Sequence, residues 1–224
     1  MTVDAGYSKL HKKLLNNVYM SIAERRKADK KKMQALILKA AMKLFHKEGF
    51  KKVTIRSIAK KIEYSPATLY LYYKDKNEIL YSLQVLGFEK LHKNQQEVFG
   101  IKDPLERLRA FGRIYISFAL ENPEYYDLMF IMRGPAKKIK EKQDWEASLR
   151  SYELLKGTVK DCMEHGYLKK SDLDSATFAF WSYVHGMASL IIRERCIMFP
   201  NEKLPAIIEG ATHFLTESIF EKVS

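Results

Sequence analysis

Three observations predict an all-α fold in two parts. Apolar residues recur at three- and four-residue spacing along most of the chain, from Met33 to Ile219. No stretch alternates apolar and polar residues as a half-buried strand would, and no segment repeats. Net charge is confined to one end: residues 1–90 hold 20 Lys and Arg against 8 Asp and Glu, a net +12, whereas residues 91–224 hold 19 of each. The parts expected are a basic N-terminal extension over 1–30, a three-helix unit over 31–90 and a larger helical unit over 91–224.

In the extension, Leu10, Leu14, Val18 and Ile22 keep a four-residue spacing, and Arg25, Arg26, Lys27, Lys30, Lys31 and Lys32 follow. This reads either as a basic arm lying beside a duplex or as a solvated tail. Met33, Leu36, Ile37, Ala40, Ala41, Leu44 and Phe45 then give a clean helical stripe, stopped by Gly49. Thr54 can cap a second helix whose apolar face is Ile55, Ile58, Ala59 and Ile62. After Glu63 and Tyr64, Ser65 caps a third with Pro66 at its first position, running to about Tyr72. Two short helices joined by a tight turn form a helix-turn-helix, whose second member enters the major groove of DNA. Asp75 can start a longer helix from Lys76 to about Phe99, stopped by Gly100.

Beyond residue 100 the pattern is helix after helix. Asp103-Pro104-Leu105-Glu106 opens one to about Glu121, and Asn122-Pro123-Glu124 opens another, broken at Arg133-Gly134-Pro135. Lys137 to Lys142 reads as a charged connector. Helices are expected over about 144–165, ended by Gly166, from Asp172 or Asp174 to about Met198, closed by Pro200, and over about 203–222.

At Thr54 to Leu80 the chain resembles the tetracycline-repressor (TetR) family of bacterial regulators. The matches are Thr54, Ile58, Ala59, Ser65, Tyr70, Tyr72 and Lys76, conservatively Tyr73 and Ile79, and upstream Ala40, Ala41, Phe45 and Gly49-Phe50. Ile62, Glu63 and Tyr64 stand where that family has Ala-Gly-Val, so either a non-glycine residue takes positive φ or the turn is reshaped. Trp181, His185 and Gly186 form a W-x-x-x-H-G signature that looks like the C-terminal ligand domain of one TetR subfamily. The resemblance implies DNA phosphate contacts from Tyr70 and Lys76, a first-helix contact from Thr54, a small-molecule pocket in the C-terminal part, and dimerisation through the last two helices. It also implies that movement of the helix after Lys76 couples ligand to DNA.

The residues themselves nominate three sites. Thr54, Arg56, Ser65, Ala67, Thr68, Tyr70, Tyr72, Lys74 and Lys76 offer hydroxyls and cations for phosphates, with Ala67, Thr68 and Leu71 placed to meet base edges. Phe111, Tyr115, Phe118, Tyr126, Met129, Phe130, Trp145, Tyr152, Trp181 and His185 are dense in aromatics, as a core or an apolar ligand cavity would be. Val184, Ala188, Ile191, Ile192, Ile207, Ala211, Phe214 and Leu215 lie on helices apolar over wide faces, more than one internal core needs, so a second copy is expected against them.

Enzyme chemistry finds no support. There is no nucleophile elbow, phosphate-binding glycine loop or H-E-x-x-H, and His46, His92, His165 and His213 are scattered without ligand spacing. Cys162 and Cys196 lack metal or redox spacing. No cofactor or metal is expected. No apolar run approaches the ~20 residues of a membrane span, so no membrane partner is expected and the cytoplasm is the expected location. The sequence thus calls for a homodimeric regulator of double-stranded DNA answering to an unknown small-molecule effector. The alternative is an architectural DNA-binding protein with no effector.

Overall fold

A computed structural model describes residues 21–133 and 146–218, with the side chains of Glu217 and Ser218 left aside. The described residues form helices and connecting turns, with no strand among them. Contacts divide the chain into two compact units between Ile79 and Leu80.

The first helix of unit 1, α1, runs from Ile22 to Glu48. It begins well before the apolar stripe, so the basic run from Arg25 to Lys32 forms helical turns and not an irregular arm. The start is fixed by a reciprocal cap: Ser21 Oγ accepts from Glu24 N at 3.2 Å, and Ser21 N donates to Glu24 Oε2 at 2.8 Å. Those hydrogen bonds hold the Glu24 carboxyl below its ordinary value. The Leu10 to Val18 stripe lies outside the described residues.

Further along α1, Ile37, Ala40, Ala41, Leu44 and Phe45 are buried. They pack in one core with Val53, Ile58, Ala59, Leu69 and Tyr73. Gly49 ends α1 at φ 77°, its N–H bonded to Phe45 O at 2.8 Å. Helices α2 (Ile55–Lys61) and α3 (Pro66–Tyr70) follow, and α4 (Lys76–Gln95) carries the chain into unit 2, extended by a 3₁₀ turn over Gln96–Gly100.

Unit 2 is built around α5 (Pro104–Glu121), which packs against α7 (Glu146–Glu164), α8 (Leu173–Ile192) and α9 (Leu204–Ser218). Between α5 and α7 lies α6 (Pro123–Tyr126), continued by a wide π turn over Asp127–Ile131 that closes with Met132 N donating to Asp127 O at 2.8 Å. Buried threonines on these helices bond back one turn: Thr158 to Leu154 O, Thr177 to Leu173 O and Thr212 to Ile208 O, at 3.1, 2.7 and 2.8 Å.

The expected end of α8 near Met198 is corrected to Ile192. Glu194 turns left-handed at φ 54°, Arg195 N bonds back to Leu190 O at 2.8 Å, and the helix closes without a glycine. The connector Lys137 to Lys142 lies outside the described residues.

Candidate functional site

In unit 1 the candidate surface is built by two caps and one strained turn. Thr54 Oγ1 accepts from Ser57 N at 3.1 Å while Thr54 N donates to Ser57 Oγ at 2.9 Å, starting α2. Helix α2 ends in a Schellman arrangement, with Tyr64 N bonded to Ala59 O at 3.0 Å and Glu63 N to Lys60 O at 3.3 Å. The residue that must turn left-handed there is Glu63, at φ 61°. Of the two possibilities left open above, the positive φ holds: the turn keeps its form on a non-glycine residue. Ser65 Oγ then accepts from Thr68 N at 3.1 Å and meets Thr68 Oγ1 at 3.0 Å, starting α3.

Helix α3 is anchored by Leu69, which is fully buried, and by Tyr73 just beyond it. Its outer face is open. Thr54, Arg56, Ser65, Ala67, Tyr70 and Lys74 are exposed, and Thr68, Tyr72 and Lys76 are half-buried. Leu71 is 77% exposed and Tyr64 43%; Tyr64 was not nominated above, and its place beside the Ser65 cap was the available signal. The Lys76 ammonium donates to Phe50 O and sits 5.9 Å from the centre of the Phe45 ring. Burial holds it below the ordinary lysine value. An ammonium has three N–H donors, so this anchoring bond leaves others for an oxyanion. Residues 21–79 hold 16 Lys and Arg against 6 Asp and Glu, so the field around this open face is strongly positive.

Unit 2 holds a cavity of about 300 Å³. Phe111, Tyr115, Met129, Phe130, Tyr152 and Trp181 line it, as the aromatic density suggested. Phe118 and Tyr126 are buried in the core and do not reach it. His185 stands behind the wall: Tyr115 Oη lies 2.8 Å from its Nδ1, and Tyr126 Oη donates to its backbone oxygen at 3.2 Å while lying 3.1 Å from Nδ1. Burial lowers the His185 pKa below its ordinary value, which favours the neutral ring. Burial also raises the Tyr115 and Tyr126 phenols above their ordinary value. Trp145 lies outside the described residues.

The sequence reading missed the other wall. Gln84, Phe88, Leu91 and Gln95 form an i, i+4, i+7, i+11 stripe on α4, and Ser148, Ser151 and Leu155 flank the nominated Tyr152 on α7. The α4 stripe mixes polar and apolar residues, so its spacing alone does not mark it as a cavity wall. Gln84 is positioned by close packing: a Cβ on neighbouring Gly87 would come within 2.7 Å of Met129 Sδ, and Gln84 Nε2 donates to Met129 O at 3.2 Å.

The residues nominated for pairing divide. Val184 and Ala188 are buried in the core of unit 2, and Val184 lines the cavity. Ile191, Ile192, Ile207, Ala211 and Leu215 are half-buried, and Phe214 is 69% exposed. Further large apolar side chains are open to solvent nearby in sequence: Phe178, Leu190, Ile197, Met198 and Phe199. Among the described residues, no helix is long and apolar enough to cross a membrane.

Comparison with known proteins sets this geometry in context. Residues 37–83 match the family model for bacterial regulatory proteins of the tetR family, and residues 108–207 match that for the tetracyclin repressor-like C-terminal domain. The chain is 26% identical over 161 residues to YobS, an uncharacterized HTH-type transcriptional regulator of Bacillus subtilis (strain 168), covering 72% of this chain and 80% of that protein. The fold is similar to a protein of unknown function from Rhodococcus sp. RHA1, with TM-score 0.71, 20% identity, and 84% and 95% of the two chains covered. It is also similar to the TetR family transcriptional regulator PfmR from Thermus thermophilus, with TM-score 0.58, 23% identity, and 84% and 98% covered.

Proposed function

We propose that this chain, which belongs to the TetR family of transcriptional regulators and carries its DNA-binding helix-turn-helix, is a ligand-responsive repressor. It works in the cytoplasm as a homodimer on a palindromic operator. The observation that carries the reading is α3: a short, doubly anchored helix whose Ala67, Tyr70 and Leu71 face solvent on a strongly basic unit. Arg56, Lys74 and Lys76 neutralise phosphates and set the register, Thr54, Ser65, Tyr70 and Tyr72 add hydroxyl bonds to the backbone, and Ala67 and Thr68 meet base edges.

The effector occupies the cavity of unit 2, and the exposed apolar side chains of α8, α9 and their connecting turn supply the pairing surface. Helix α4 belongs to both units, so a ligand pressing on Phe88 and Leu91 acts on the same rod whose first turn follows the helix-turn-helix. The ligand must favour one of two forms of the protein, or it shifts nothing.

Selection of bound fragments from genomic DNA, followed by sedimentation of the complex, tests this. A palindromic site bound by two copies is expected, and Phe214→Glu is expected to give monomers that bind it weakly. Binding without sequence preference, unchanged by any small molecule, would support the architectural alternative.

A further inference from the structure

The cavity wall carries polar atoms that have no hydrogen-bond partner among the described residues. Gln84, Gln95 and Ser151 are 2%, 4% and 7% exposed, and Gln84 Oε1, Gln95 Oε1 and Ser151 Oγ make no hydrogen bond. The Gln84 amide is oriented by its bond to Met129 O, so its oxygen is an unmet acceptor. Ser151 differs from the buried threonines of the same unit, whose hydroxyls bond back along their own helices. Desolvated polar groups without partners are costly, and a native structure that keeps three around one space has a use for them.

Their arrangement is specific. Gln84 and Gln95 end the α4 stripe, with Phe88 and Leu91 between them. Eleven residues at the helical rise place the two glutamines roughly 16 Å apart along the axis. Aromatic rings of Phe111, Tyr115, Phe130 and Trp181 complete the enclosure. Among the described residues no charged side chain lines the cavity; Glu89, Glu146 and Arg150 stand in an adjoining recess of about 150 Å³.

We infer that the cavity takes an uncharged, elongated aromatic molecule that donates a hydrogen bond at each end, to Gln84 Oε1 and to Gln95 Oε1. This rests on the reading of unit 2 as the effector-binding unit and names the class of effector. A charged ligand is disfavoured because, among the described residues that line the cavity, neither a carboxylate nor an ammonium finds a counter-ion. Size follows from volume: a cavity of about 150 Å³ admits benzene, so one twice as large admits about two rings. Carbonyl acceptors select donors, and an ether in place of a hydroxyl leaves both amide oxygens unpaired.

The test uses the full chain and four naphthalenes of one shape: the diol with hydroxyls at opposite ends, its dimethyl ether, the dicarboxylate, and a trimethylammonium derivative. Thermal shift and calorimetry are expected to show the diol binding at least about tenfold more tightly than the ether, the cost of a buried acceptor left unmet. Neither charged compound is expected to bind. Gln84→Leu and Gln95→Leu, each keeping an apolar wall, are expected to shrink the margin of diol over ether, and either variant suffices should the other fold poorly. An ether that binds as well as the diol, or a charged compound that binds best, overturns this inference and leaves the effector reading standing. If none of the four binds, this inference is overturned, while the effector reading falls only if no small molecule of any class changes DNA binding.

Discussion

In unit 1, Ile37, Ala41, Val53, Ile58, Ala59 and Leu69 are sealed from solvent, and no buried side-chain polar atom among its described residues lacks a partner. In unit 2 a core of similar composition closes around a cavity, with Gln84, Gln95 and Ser151 unmatched on its wall. Unit 1 acts through its outside, so its interior can be filled and every polar group satisfied. A cavity wall need not be, and a polar group on it that neither water nor a ligand meets costs about 1–3 kcal/mol. Under the proposed function, the difference marks where each unit does its work.

The largest expected effect breaks the closed core. Leu69→Ala removes the one fully buried side chain of α3 and should cost about 2–5 kcal/mol. Denaturant unfolding should show the loss, and DNA binding should fall with it.

The contrast is sharpened by making one kind of substitution in both units. Ser65→Ala removes the α3 cap and should destabilise by about 1 kcal/mol. Ser151→Ala removes an unsatisfied hydroxyl from the middle of α7 and should stabilise by about 1 kcal/mol, while weakening any ligand that uses it. Equal signs in thermal unfolding would dissolve the distinction between the cores.

Unit 2 should also respond to acid. Burial lowers the folded pKa of His185, so the unfolded chain binds the proton more readily. Stability should be level above about 6.5, the ordinary histidine value, and fall as pH drops through it toward the lower folded value. His92 shares the direction, from burial first and Arg150 second. Tm between pH 7.5 and 5 should therefore slope in the native chain and slope less in His185→Gln, and less again when His92 is also replaced. Asp103 and Asp172, held low chiefly by bonds from Tyr167 and Ser175, lose their contribution only below the ordinary carboxylate range.

The smallest effect lies in the turn of unit 1. Glu63→Gly relieves the left-handed backbone but loosens the unfolded chain, for a net gain of under about 1 kcal/mol. Chemical denaturation resolves this against Lys61→Gly, at the end of α2, which should be destabilising.

Much of the fold was legible because its signals are local. Thr54, Ser65 with Pro66, Asp103 with Pro104, and Asp172 each announce a helix start, and each caps one. The Ser21 to Glu24 box was equally local, yet the apolar stripe beginning at Met33 drew the helix start eleven residues late. The end of α8 gave no such signal, because a glutamate turned left-handed where glycine usually would.

The candidate sites divide the same way. The outward face of α3 follows from its own caps and spacing, so sequence alone placed Ala67, Thr68 and Tyr70 on it. Which aromatic lines a cavity and which fills a core depends on what the other helices bring opposite, and periodicity is blind to that. Phe118 and Phe111 share the α5 stripe, yet only Phe111 meets the cavity. Sequence by itself determined most of the helices, the basic unit and the outward face of α3, since capping and helical period act within a few residues. Tertiary structure alone decided the cavity and its unmet amides, since enclosure is a property of helices distant in the chain and close in space.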